Sequence, residues 1–183
     1  AGATKFYEKL TYFHNETPPT DGKLFTDPNF PPNKNSLMGL NSSGQPIDSE
    51  AYKNYSSSLN PNEITFVRPS EIFKGKQVSL FESSISVDDI KQGGLGDCYF
   101  LSSVSALSQY PQIIDGLFKT EGVREDGFYE IILYIDGKPQ IVIIDDYIPV
   151  YKKNTRQPYF ARPNGNEIWV MLIEKAWAKV NGG

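Results

Sequence analysis

The 183-residue chain has one cysteine and one histidine. A lone cysteine excludes an intrachain disulfide and points to a reducing, intracellular setting, cytoplasmic rather than secreted. The one histidine, His14, lies in the N-terminal segment and reads as an exposed surface residue. A cationic excess is also missing: Lys and Arg total 18 against 22 Asp and Glu, for a net charge of -4. That balance argues against nucleic acid, which needs clustered cations to neutralise phosphates, and leaves room for a divalent cation. No apolar run approaches the roughly 20 residues of a membrane span, and no charged-then-apolar signal segment opens the chain. It starts at Ala1 instead of Met, which reads as a piece of a longer protein.

What is present suits a single soluble domain, with 39% hydrophobic and 22% charged residues. Phe6, Leu10 and Phe13 fall at helical spacing, so Thr4 to Phe13 is expected to form a short amphipathic helix. Prolines cluster from Thr17 to Pro32, predicting an extended surface stretch anchored by Phe25, Phe30 and Leu37. Asn41 to Asn62 is Ser- and Asn-rich and reads as a long loop or insertion. Residues 1–62 are therefore expected to be an N-terminal extension packed on a core domain, residues 63–183, whose order starts at Ile64.

Within that domain, Gly93, Gly94 and Gly96 form a flexible turn into a helix from Cys98 to about Tyr110. Phe100, Leu101, Val104 and Leu107 make its apolar stripe, and Pro111 is expected to stop it. Tyr129–Ile135 and Gln140–Asp145 read as strands joined by a turn at Asp136-Gly137, the second strand buried on both faces. Glu167 to Val180 reads as a second amphipathic helix with Asn166 as N-cap. Trp169, Leu172, Ile173, Ala176 and Val180 share its apolar face, while Glu174, Lys175 and Lys179 are expected to lie away from it. Two helices and a small antiparallel sheet make an α+β domain.

The chemistry concentrates around Cys98. A thiol at a helix N-terminus faces unpaired backbone N–H groups and the positive end of the helix dipole, which favour the thiolate. Asp97 opposes that thiolate, so full activation needs a partner such as a histidine. Gln92 lies across the glycine turn, where its amide and the Cys98 N–H would form an oxyanion hole. On chemistry alone, Cys98 is either this nucleophile or a small buried hydrophobe. A phosphate-binding loop is disfavoured, because its lysine is missing and Asp97 would repel the ligand.

The stretch Gln92-Gly93-Gly94-Leu95-Gly96-Asp97-Cys98, followed by Tyr99, Phe100 and Leu101, resembles the active-site signature of the calpain family of cysteine proteases. Four further motifs resemble the family in the same order. They are Asp27 with Phe30-Pro31 and Ser36-Leu37; Arg68-Pro69 with Glu71-Ile72; Ile144-Asp145-Asp146 with Pro149; and Glu167 with Trp169, Leu172, Glu174-Lys175-Ala176 and Ala178-Lys179. Tyr99 stands where the family usually has Trp, and Ser102-Ser103 where it has an Ala pair.

The resemblance implies the first, Cys-bearing subdomain of a papain-like protease core, acting on protein or polypeptide substrates. The base histidine and its orienting asparagine would come from a second subdomain absent from this chain, leaving the chain inactive alone. It also implies calcium, held by Asp89 and Glu167 with backbone carbonyls near Glu82 and Ser84. Without metal, Asp89 would be a turn residue and Glu167 a first-turn helix charge. Asp145 and Asp146, neighbours on a strand, point to opposite faces and read as structural groups bonding to backbone. The alternative to a protease is a non-catalytic calpain-like scaffold or assembly module.

Overall fold

The computed structural model describes residues 10–20, 22–39, 43, 47, 59–81, 98–162 and 165–183. Its spine is the hairpin of β3 (Phe128–Ile135) and β4 (Lys138–Asp145). Both are rich in β-branched and aromatic residues, which suit a pleated surface packed on its neighbours. The register runs from Phe128 opposite Asp145 to Ile135 opposite Lys138. Asp136 and Gly137 close the turn with φ of 50° and 73°. Positive φ at both positions makes the two-residue turn whose twist matches its strands.

The two faces of the hairpin feed two cores, as the continuous apolar run in β4 predicts. Tyr129, Ile131, Leu133, Val142 and Ile144 join the main core. Phe128, Ile132, Ile141 and Ile143 pack with Phe25 on the other side. Each fully buried aliphatic side chain contributes about 1.5–3 kcal/mol. Phe25, Phe30 and Leu37 are all buried, so the proline-rich segment is anchored where expected.

The N-terminal segment differs from its helical reading. Residues 1–9 lie outside the described residues, and Thr11–Tyr12 form β1, parallel to β4 at Gln140 and Ile141. Phe13 N donates to Ile141 O at 2.9 Å. The open edge of β4 offers backbone groups that must be paired, and that demand overrides a short helical spacing. Most of Asn41 to Asn62 lies outside the described residues, though Leu59 is buried. Ahead of β2, Pro61–Glu63 make a single 3-10 turn.

A second sheet was not expected from the sequence. It comprises β2 (Ile64–Val67), β5 (Ile148–Tyr151) and β6 (Asn154–Pro158), antiparallel in the order β2-β5-β6. The chain passes from β4 into β5 through Asp145, Asp146 and Tyr147, so these residues form the corner between the sheets. Two short helices accompany the second sheet in sequence, α1 (Asn35–Met38) before it and α2 (Pro69–Ile72) directly after β2.

Helix α3 covers Cys98–Ser108. Its buried residues are Phe100, Leu101, Val104 and Ser108, whereas Leu107 is 38% exposed and leaves the predicted stripe. Pro111 does not merely end this helix: it opens α4 (Pro111–Leu117), where a missing N–H is harmless.

Helix α5 spans Trp169–Asn181 and ends at Gly182, in the left-handed conformation at φ 87°. It starts two residues later than expected, and its N-cap is Ile168, not Asn166. The Asn166 carbonyl instead accepts from Ser79 N, because residues 166–169 pair with the chain at Ser79 and Leu80. Lys175 and Lys179, expected away from the apolar face, are buried. They sit three and seven residues after Leu172, on the same helical face, opposite carboxylates that hold them there.

Candidate active site

Cys98 is the first residue of α3, the position at which the four leading N–H groups lack intrahelical acceptors. The two residues after it pin this end to α5. Phe100 stacks on Trp177, with centroids 5.0 Å apart and planes 11° from parallel. Trp177 Nε1 donates to the Tyr99 hydroxyl at 3.2 Å. A tyrosine here thus supplies a polar acceptor that a tryptophan would not. One turn on, Ser103 Oγ donates to Tyr99 O at 2.9 Å. Asp89 and Gln92, and the Glu82 to Ser84 segment, lie outside the described residues.

Glu167 is 1% exposed and precedes the α5 N-cap, so it is not a first-turn helix charge. Its backbone is bridged in parallel to Ser79. Ile168 N donates to Ser79 O at 3.1 Å and Trp169 N to Leu80 O at 3.3 Å. The strand-like segment beside Glu167 therefore leads within three residues to Glu82. Among the described residues, no three His, Cys, Asp or Glu side chains converge as a metal site. His14 is exposed, its ring edge-to-face with Phe13 at 4.6 Å.

Elsewhere among the described residues lies a set of buried ion pairs. Asp145 accepts from Asp27 N at 2.8 Å and Tyr147 N at 3.0 Å, the backbone role expected of it. It also pairs with Lys175, which donates to Tyr147 O at 2.7 Å as well. Asp146 pairs with Arg68, whose other nitrogen donates to Phe25 O at 2.7 Å and whose guanidinium lies 4.2 Å from the Tyr147 ring centre. Lys179 Nζ donates to Glu16 Oε1 (2.7 Å), Asp27 Oδ2 (2.8 Å) and Ile143 O (2.8 Å). The neighbouring aspartates thus serve different cations, as their opposite faces require.

Burial sets most of the protonation trends. It raises the Asp27 carboxyl against the pull of Lys179, and raises Asp146 against Arg68. It lowers Lys175, which Asp145 partly offsets. For Glu16 burial is outweighed by hydrogen bonds from Lys179 and Asn29, which hold the carboxyl below its usual value. Burial raises the Tyr129 hydroxyl to about 12, although Arg124 N donates to it at 2.9 Å.

Sequence reasoning missed Arg68 as the partner of Asp146, and both lysines. The lysines had a readable signal in their spacing from Leu172; the Arg68–Asp146 pair, 78 positions apart, had none.

A helix opened by the chain's one cysteine thus stands on an α+β scaffold braced by buried ion pairs. The family model for calpain family cysteine protease matches residues 25–183, and the chain belongs to that family. It is 33% identical over 172 residues to a calpain-type cysteine protease of Zea mays, covering 91% of this chain and 7% of that protein. It is 32% identical over 164 residues to the calpain-1 catalytic subunit of Bos taurus, covering 88% and 21% respectively. A calpain of Schistosoma mansoni is 29% identical over 184 residues, covering 98% and 21%. The chain thus spans about a fifth or less of the length of these relatives. Among the described residues no helix is long and apolar enough to cross a membrane.

Proposed function

We propose that this chain is the Cys-bearing first subdomain of the papain-like core of a calcium-dependent, intracellular calpain-type endopeptidase. Residues 63–183 form that subdomain and residues 1–62 an extension packed against it. The observation that carries the reading is Cys98 at the first position of α3. A thiolate there is favoured by the free N–H groups and the helix dipole.

In the complete enzyme, the Cys98 sulfur adds to a peptide carbonyl carbon, and the carbonyl oxygen takes the negative charge. The Gln92 amide and the Cys98 N–H donate to that oxyanion. A histidine from the second subdomain, oriented by an asparagine, protonates the departing amine, and water then hydrolyses the thioester. Lacking that subdomain, the chain alone turns over no peptide.

Calcium is assigned to Glu167 and Asp89, with carbonyls near Glu82 and Ser84. The donor set is all oxygen, as a hard cation prefers. Glu167 fits the group, being a buried carboxylate beside the segment that leads to Glu82. A bound cation would supply positive charge that neutralises Glu167 and ties Asp89, ahead of Cys98 in sequence, to the start of α5.

The test joins the chain to the second subdomain and assays cleavage of a protein substrate. Cleavage abolished by Cys98→Ala supports the reading. Cleavage that persists in Cys98→Ala, or turnover by the isolated chain, overturns it.

A further inference from the structure

A recess of about 260 Å³ is lined by Ile72, Phe73, Lys74, Lys76, Arg156 and Gly165. Its cations come from two elements that pack together, the end of α2 and strand β6. After α2 the chain makes a tight turn in which Lys76 N donates to Phe73 O at 2.8 Å. Gly75, at φ 84°, permits that turn and lets Lys74 and Lys76 flank it. Across from them, Arg156 occupies an outward position on β6, where exposure alternates along the strand. Buried Ile72 provides an apolar wall.

Among the described residues no carboxylate lines the recess. None of the three cations has an ion-pair or side-chain hydrogen-bond partner among the described residues, whereas Arg68, Lys119, Arg124, Lys175 and Lys179 all do. In a chain with a net charge of -4, three like charges around one concavity repel each other and concentrate a positive potential there. A planar guanidinium and two ammonium groups lining one recess are a donor set for a tetrahedral oxyanion, the arginine binding as a fork and the lysines as point charges.

We infer that this recess binds a dianionic phosphate group, independently of the proteolytic site. The bound group would bridge the turn after α2 to β6, beside Gly165, two residues before Glu167. The same chemistry is offered by free phosphate and by a phosphorylated serine on a polypeptide.

Calorimetric titration of the 183-residue chain with inorganic phosphate should show one saturable site that weakens as salt rises. Arg156→Ala should weaken it at least about tenfold, and Arg156→Lys by less, because the fork is lost but the charge kept. Lys74→Ala/Lys76→Ala/Arg156→Ala should remove it while leaving the melting temperature without phosphate unchanged, as all three side chains are exposed. A phosphoserine peptide that binds about tenfold tighter than phosphate identifies the modified side chain as the source; equal affinity identifies the free anion. No saturable heat up to about 20 mM phosphate, or equal affinity in the triple variant, overturns the inference.

Discussion

Lys179 and Asp27 are 152 positions apart in the chain and meet at 2.8 Å in the interior. Their side chains are 1% and 0% exposed, and Glu16 approaches the same ammonium from the N-terminal segment. One cation thus compensates two carboxylates and ties the N-terminal segment to the last helix. Lys179→Met should destabilise the chain by about 3–5 kcal/mol, because it leaves buried charge without compensation. Adding Asp27→Asn should recover part of that loss. Urea unfolding measures both, and a single-variant loss below about 1 kcal/mol would show that water, not Lys179, compensates the carboxylates.

Gly127 is a second point of constraint. Its φ is 71°, and a Cβ there would collide with the Arg68 guanidinium and lie 2.6 Å from Asp146 Oδ1. Gly127→Ala should therefore both strain the backbone and displace the Arg68–Asp146 pair, at a loss of about 2 kcal/mol or more. Gly137 is the control: its φ is 73° but nothing lies within 4 Å of an added Cβ. Gly137→Ala should cost about 1 kcal/mol. Equal losses in the two variants would mean that the Arg68–Asp146 contact adds nothing beyond backbone strain.

The carboxyl groups make opposite contributions to acid stability. Glu16 titrates below its ordinary 4.5 in the folded chain, so its contribution is present above that value and is lost as pH falls through the lowered one. Asp27 and Asp146 titrate above 3.8; between 3.8 and their raised values the folded chain holds more protons, and stability falls as pH rises. Glu16→Gln should cost about 1–3 kcal/mol at neutral pH, the worth of a charged hydrogen bond, and the gap to wild type should close below pH 4.5. Denaturation at a series of pH values checks this, and a gap that stays constant into acid would refute it.

Calcium at the proposed site would tie the residues before Cys98 to the start of α5. At a hundredfold excess over its Kd, a cation held by Asp89 and Glu167 should stabilise the fold by about 2.7 kcal/mol. Glu167→Gln and Asp89→Asn should each remove most of the resulting rise in melting temperature. Magnesium should replace calcium poorly, since it demands tighter octahedral geometry. A melting temperature indifferent to calcium would leave Glu167 as a structural carboxylate.

The parts legible in the sequence were those set by local pattern. The β3–β4 hairpin was placed within about two residues, since alternation, β-branched content and an Asp-Gly turn agree there. The start of α3 at Cys98 followed from glycines before an apolar stripe. The second sheet was not legible, because β2 pairs with β5, whose partner residues run from Ile64–Tyr151 to Val67–Ile148. Pairing over such separations leaves no local period. Lys175 and Lys179 were misplaced for a related reason: a lysine's burial depends on carboxylates elsewhere in the chain, which periodicity does not register. At the site, the motif around Cys98 was readable by resemblance, whereas its bracing through Tyr99 and Trp177 depends on contact between two helices.

The corner at Asp145–Tyr147 has a dynamic consequence. The chain leaves β4 of the first sheet there and enters β5 of the second, with Lys175 holding one aspartate and Arg68 the other. Opening at the corner itself releases a carboxylate from its cation, which adds about 3–5 kcal/mol to the loss of backbone pairing. The backbone amides of β4 and β5 should then exchange with solvent deuterium as a single cooperative unit, although they belong to different sheets.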